Sequence, residues 1–232
     1  MTEARRKILI WDFDGTLAHR QGGWTGAVVD VLQKSLPTVG EANPEKVHAC
    51  LQAGFPWHAP ENPHPGLSAD EWWEDMQPVF ARALRAGGAR NGEAYLLAND
   101  VRGTYLNPTL WSCYPDTLPA LEQLTERGWM HVLLTNHTPE LPQLLKSLNL
   151  HAHFAQTFNS AVTGYEKPNP KAFRAVLDWA GPGAICWMIG DDFYSDILGA
   201  LEIGLPGILV RRPHPDAPMY CKSLSELTSR ID

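Results

Sequence analysis

Several apolar runs in this chain stop abruptly at polar residues, and that pattern constrains the fold more than any other feature. Residues 7–11 (KILIW) run into Asp12, residues 129–135 (WMHVLLT) into Asn136, residues 184–189 (AICWMI) into GDD, and residues 206–210 (PGILV) into RRP. Residues 154–158 (FAQTF) form a weaker run of the same length class. Segments this apolar, with little alternation, predict strands covered on both faces. Helical patterns at 115–127, 139–148, 169–180 and 194–203 separate them, the first with a proline in its opening turn and Gly128 as its stop signal. Strand and helix alternate from Trp111 to the end. The expected fold class is therefore α/β, a Rossmann-like parallel sheet with helices on both faces.

The stretch from about 20 to 110 breaks the rhythm. It carries helical patterns near 24–35, 44–53, 69–86 and 91–106 and no convincing strand, and its loop GFPWHAPENPHPG is rich in Pro, Gly and His. The organisation expected is a core built from residues 1–18 and 110–232, with an all-helical domain, residues 19–109, inserted after the first strand. A chain of 232 residues suffices for one sizeable core plus such an appendage.

Composition narrows the classes of function. Hydrophobic residues make up 44% and charged residues 19%, a globular balance, and the formal net charge is -7 with no long basic run. Nucleic acid and membrane surfaces are not expected as partners, since both require a concentrated positive face. The apolar stretch after the first charges is too short for a signal peptide, and no segment approaches membrane-spanning length, so a cytoplasmic location is expected. Cys50, Cys113, Cys186 and Cys221 are far apart without CxxC spacing, which predicts reduced thiols rather than a zinc or redox site.

In an open parallel sheet, ligands bind beyond the carboxyl ends of the strands. The notable polar residues lie there: Asp12 and Asp14 after the first strand, Thr135 and Asn136 after the second, Asp191 and Asp192 after the fourth, and Lys167 in the loop GYEKPNP. Clustered carboxylates repel one another unless a cation is present. Oxygen ligands without His or Cys suit magnesium, which often takes substrate phosphate as a further ligand. An aspartate can act as a covalent nucleophile in phosphoryl transfer, provided that a metal and a lysine offset its charge. Thr135 and backbone amides could then hold the non-bridging oxygens, and a second acid, Asp14, could protonate the leaving group and activate water. Each piece alone has a plainer reading, as helix cap, turn or surface lysine. Their joint occurrence in this order at strand ends carries the argument.

The four segments, DFDGTL at 12–17, LLTN at 133–136, the lysine of EKPNPKAF at 166–173 and GDDFYSD at 190–196, resemble the haloacid dehalogenase-like hydrolase superfamily. The resemblance implies Asp12 as nucleophile forming an aspartyl-phosphate. Asp14 would be general acid/base, giving its main-chain carbonyl to magnesium. Thr135 would bind the transferring phosphoryl group, with Asn136 nearby, Lys167 would bridge nucleophile and phosphate, and Asp191 would complete a metal site of Asp12, Asp14 and Asp191. Asp196 would support that site, and Asp192 is a possible sharer of the metal.

Dehalogenases of this type look different, lacking the second aspartate of the first motif, and ion pumps require membrane spans. The reading is thus a magnesium-dependent phosphomonoester hydrolase acting on a small phosphorylated metabolite, with a phosphosugar mutase or a non-catalytic binding protein of the same fold as alternatives. The insertion begins where helical caps occur in the superfamily. Arg20, Trp24, Trp57, His58, His64, Trp72 and Trp73 are its candidate cleft contacts; of the adjacent Trp72 and Trp73, only one is expected to pack inward. His151 and His153 read as surface residues.

Overall fold

The structure is a computed structural model that describes residues 5–37 and 42–231. Residues 1–4 and 232 of the expected core, and 38–41 of the expected insertion, lie outside the described residues. In chain order the strands are β1 (Lys7–Trp11), β2 (Ala18–Arg20), β3 (Trp111–Cys113), β4 (Trp129–Thr135), β5 (Phe154–Asn159), β6 (Ile185–Gly190), β7 (Gly207–Val210) and β8 (Tyr220–Cys221). The helices are α1 (Gly23–Ser35), α2 (Pro44–Leu51), α3 (Ala69–Ala86), α4 (Asn91–Leu97), α5 (Asp100–Tyr105), α6 (Thr117–Glu126), α7 (Leu141–Ser147), α8 (Ser160–Thr163), α9 (Pro170–Ala180), α10 (Gly199–Glu202) and α11 (Leu224–Thr228). A wide turn of π-helix over Phe193–Leu198 leads directly into α10.

Two compact units divide the described chain: residues 5–19, 60–66 and 113–231 in one, and residues 20–37, 42–59 and 67–112 in the other. The chain changes unit within the short strands β2 and β3. It also does so at an unexpected place, because residues 60–66, in the middle of the expected helical insertion, cluster with the sheet unit. Their partners, described below, are remote in sequence, and a Pro/Gly/His-rich loop carries no periodicity that would announce them.

The first unit is built on a six-stranded sheet in the order β5-β4-β1-β6-β7-β8. All of its pairings are parallel. β1 lies at the centre, with Trp11 level with Leu133 of β4 and Ile189 of β6. Side chains alternate across the sheet, and both faces are covered: Ile8 and Ile10 on one side and Leu9 and Trp11 on the other are fully buried. Ile8 and Ile10 pack with Val132, Leu134, Phe173, Val176 and Met188 in one cluster. Each such burial is worth about 1.5–3 kcal/mol. β5 is an edge strand with two exposed positions and one buried one, which is why its sequence signal is weak. β8 has only two residues, too few to show a pattern.

The second unit is helical. α3 runs through its middle, packed against α1, α2 and α4. Trp72 and Trp73 are both buried, which corrects the expectation that only one packs inward. Neighbours on a helix do diverge, but a helix covered on more than one side buries both directions. Trp73 joins Trp24 and Phe80 in an aromatic cluster, in which Trp24 also stacks on Tyr105 with ring centroids 3.5 Å apart. Arg20 is buried in this unit, bonded to Asp30 at 2.7 Å and to the carbonyls of Gln21, Gly23 and Thr104. The expected helix at 91–106 is two helices, α4 and α5. At the break, Asn99 N–H and Val101 N–H donate to the carbonyls three residues back, tightening the turn.

One buried polar pair ties β1 to β4. The Trp11 indole N–H donates to Nδ1 of His131 at 2.9 Å, and Nε2 of His131 lies 3.0 Å from the Leu121 carbonyl. Indole can only donate and a carbonyl can only accept, so the ring is neutral with its proton on Nε2. Burial lowers the His131 pKa to about 4. The unfolded chain therefore takes up a proton near pH 6.5 that the folded chain refuses until about 4. Stability contributed by the neutral ring is present above pH 6.5 and is lost as pH falls through this window, by about 2 kcal/mol at pH 5. His131→Gln keeps an acceptor and a donor without titrating. Urea unfolding from pH 7 to 5 is expected to show a smaller loss of stability in this variant than in the wild type, by about 2 kcal/mol; parallel curves would refute the assignment.

Candidate active site

β1, β4 and β6 end side by side, so the residues that follow them meet in one place. Asp12 leaves β1 with its N–H bonded to Ile189 O on β6 at 2.9 Å. The chain then turns back: the N–H groups of Leu17 and Ala18 reach Phe13 O, and Gly15 N–H reaches Ala18 O. Gly15 has φ +87°, a left-handed conformation natural to glycine, and a Cβ there would collide with the Asp191 carboxylate. Gly190 is required for a similar reason, since a Cβ would collide with Asp196. Arg211 braces the turn, its Nε donating to Thr16 O at 2.7 Å and its guanidinium bonded to Asp116 at 2.8 Å.

Asp12, Asp191 and Asp196 are buried, and one carboxylate oxygen from each lies within 4.8 Å of the others. Lys167 is 2% exposed and its Nζ is 2.8 Å from Asp12 Oδ1 and 2.5 Å from Asp196 Oδ1. Thr135 Oγ1 donates to Asp12 Oδ1 at 3.1 Å. Thr16 Oγ1 lies 3.1 Å from Asp12 Oδ2 and 3.3 Å from Asp191 Oδ1. Arg212, mostly exposed, places Nε 3.2 Å from Asp191 Oδ2.

The electrostatics follow from three buried acids around one buried ammonium. Burial pushes the Asp191 pKa up to about 6, and the Asp12 carboxylate adds to the shift. Burial also raises that of Asp196, with Lys167 opposing and Asp12 and Asp191 adding. Burial alone would lower the Lys167 pKa, but the Asp12 and Asp196 carboxylates outweigh it and hold the amine charged, above its ordinary range. The cluster thus carries more negative charge than its lysine offsets. A donor set of carboxylates and hydroxyls without His or Cys fits a hard, oxygen-seeking divalent cation.

The structure brings Asp12, Thr135, Lys167 and Asp191 together. The Asp14 carboxylate is exposed and is not one of the three carboxylates, of Asp12, Asp191 and Asp196, in the buried cluster. Asn136 is turned to the lysine loop: its Oδ1 accepts from Lys167 N at 2.8 Å and its Nδ2 donates to Lys167 O at 3.0 Å. Asp192 is exposed and caps the following turn, accepting from Ser195 N at 2.7 Å. His58 is exposed in the helical unit, His64 belongs to the 60–66 segment, and His151 is exposed. Thr16 and Arg212 had no role assigned from sequence. Thr16 stood inside the first motif with its hydroxyl as the signal; Arg212 had none, because its approach to Asp191 depends on the end of β7.

A profile of the family described as haloacid dehalogenase-like hydrolase matches residues 6–204. Haloacid dehalogenase-like hydrolase domain-containing protein 3 of Bos taurus is 27% identical, over 97% of this chain and 94% of its own. Glyceraldehyde 3-phosphate phosphatase of Methanopyrus kandleri is 29% identical, over 80% of this chain and 82% of its own. The crystal structure of the putative HAD-hydrolase YfnB of Bacillus subtilis superposes with a TM-score of 0.76 at 18% identity, covering 98% of this chain and 99% of that one.

The close approach at Gly15 yields a test. Gly15→Ala combines a strained φ with a collision against Asp191, whereas Gly181→Ala meets only the strained φ of +84° in open space. Both are expected to lower the unfolding free energy by about 1 kcal/mol or more. Only Gly15→Ala is expected to weaken the binding of a divalent cation in a calorimetric titration, and equal affinities in the two variants would contradict this geometry.

The motifs, the strand-end cluster and the profile match over most of its length agree: this chain belongs to the haloacid dehalogenase-like hydrolase family.

Proposed function

We propose that the chain is a magnesium-dependent phosphatase that hydrolyses a small phosphorylated metabolite through an aspartyl-phosphate on Asp12. The observation that carries the reading is the buried contact of Asp12 with Lys167, Thr135 and Thr16 beside Asp191 and Asp196. A lone carboxylate repels a phosphate dianion, and this one is embedded in groups that lower that repulsion. Two relatives named for phosphatase activity on small substrates, glyceraldehyde 3-phosphate and phosphoserine, support the substrate class.

In this mechanism the Asp12 carboxylate attacks phosphorus while the ester P–O bond breaks. Asp14, whose carboxyl is exposed to exchange protons, donates a proton to the departing oxygen. Asp14 then takes a proton from water as that water attacks the aspartyl-phosphate, releasing inorganic phosphate and freeing Asp12. Lys167 keeps its charge throughout and holds Asp12 toward the substrate, and Thr135 donates to the transferring oxygens. The side chains of Asp12 and Asp191, with the Asp14 carbonyl, would hold magnesium, which supplies charge neutralisation for the phosphoryl oxygens. Asp196 supports the site by fixing Lys167 and accepting from Asp192 N–H at 3.1 Å.

Phosphate release from an aryl phosphate is expected to require magnesium and to stop with chelator. Asp12→Asn is expected to abolish release, and Asp14→Asn to cut turnover by about a hundredfold or more. Turnover retained in Asp12→Asn, or indifferent to chelator, would overturn the mechanism.

A further inference from the structure

The buried Glu166 is not used in the mechanism above, yet it is the residue immediately before Lys167. It is 1% exposed, and its Oε1 lies 3.0 Å from Nε2 of His64. Its second oxygen, also buried, has no hydrogen-bond partner among the described residues, so His64 supplies the hydrogen bond to this carboxylate. Three further observations place the 60–66 segment on the same loop. His64 N–H donates to Gly164 O at 3.0 Å. Asn169 Nδ2 donates to Pro60 O at 2.8 Å. Gly164 has φ +76°, and the place of its missing Cβ is filled by the Pro65 backbone. Residues 164, 166 and 169 are thus each bonded to one short segment, while Asn136 holds the Lys167 main chain between them.

We infer that His64 and Glu166 are positioning residues for Lys167, clamping the 60–66 segment against the loop that carries it. Residues 164–169 form no strand or helix of their own. A lysine stem has four rotatable carbons and finds one geometry only if its root is fixed. Here the root is fixed from two sides, by Asn136 and by the 60–66 segment. These bonds to residues 164, 166 and 169 explain why a piece of the insertion belongs to the sheet unit. The buried carboxylate makes the clamp specific, because a buried acid without a hydrogen-bonding partner is strongly disfavoured.

The inference rests on the catalytic part given to Lys167, and the test separates the two. His64→Leu removes the donor to Glu166, and His64→Gln restores one through its amide. Lysine acetylation by acetic anhydride, followed by peptide mass spectrometry, reads the protection of Lys167 without reference to activity, with the exposed Lys146 as internal standard. In His64→Leu, acetylation of Lys167 is expected to rise at least about tenfold, and kcat for an aryl phosphate with magnesium to fall about tenfold with KM within about threefold of the wild type. His64→Gln is expected to return both toward wild type, which a merely structural role would not require. Glu166→Leu removes the same contact from the other side and serves if His64→Leu does not fold. Unchanged protection of Lys167 in both folded leucine variants overturns the clamp. Raised acetylation of Lys167 in His64→Leu, alongside a wild type that shows no phosphatase turnover, would uphold the clamp and refute the function proposed for the site.

Discussion

A single buried ammonium facing three buried carboxylates organises this molecule. Lys167 spans Asp12 and Asp196 at 2.8 and 2.5 Å, with Asp191 in the same cluster. Removing water from such a group is costly, and each charge tolerates burial because of the others. The account does not balance within the protein, since burial and mutual repulsion raise the pKa values of Asp191 and Asp196 despite the lysine. That residual negative charge is the physical basis for expecting a divalent cation, and it distinguishes this cluster from an ordinary buried ion pair. It also explains why small residues are needed around it: the carboxylates occupy the space where side chains at Gly15 and Gly190 would lie.

The fold delivers these groups by topology. A central β1 flanked by β4 and β6 puts three strand ends within side-chain reach, at the place where the strand order reverses. Each acid or hydroxyl then needs only a short excursion from a rigid strand, which gives better positioning than a long loop could. Lys167 is the exception, because its loop belongs to no strand or helix. Its order comes from side-chain bonds to Asn136 on one side and to the 60–66 segment on the other.

Much of this was legible in the sequence for a definite reason. β1, β4 and β6 are buried on both faces, so their residues are continuously apolar and their ends are sharp. The motif residues sit at those ends, so placing the strands placed Asp12, Thr135 and Asp191. The exposed edge strand β5 and the two-residue β8 gave little or no signal. Trp72 and Trp73 illustrate a different limit: a local helical rule separates their directions, but how many sides of α3 are covered is a tertiary fact. Thr16 and Arg212 belong to the same class, since their proximity to the acids follows from how the turns after β1 and β7 close. The membership of residues 60–66 in the sheet unit was the least visible of all, resting on partners about a hundred residues away.

The central claim is that the Asp12 carboxylate itself takes the phosphoryl group. Rapid quenching of the magnesium-loaded protein with a phosphorus-labelled aryl phosphate, followed by peptide mapping, tests it directly. The account predicts label on Asp12 that forms and decays at rates consistent with turnover. Label on another residue, or phosphate released in the first turnover with no acyl-phosphate on Asp12 at any time, would contradict it.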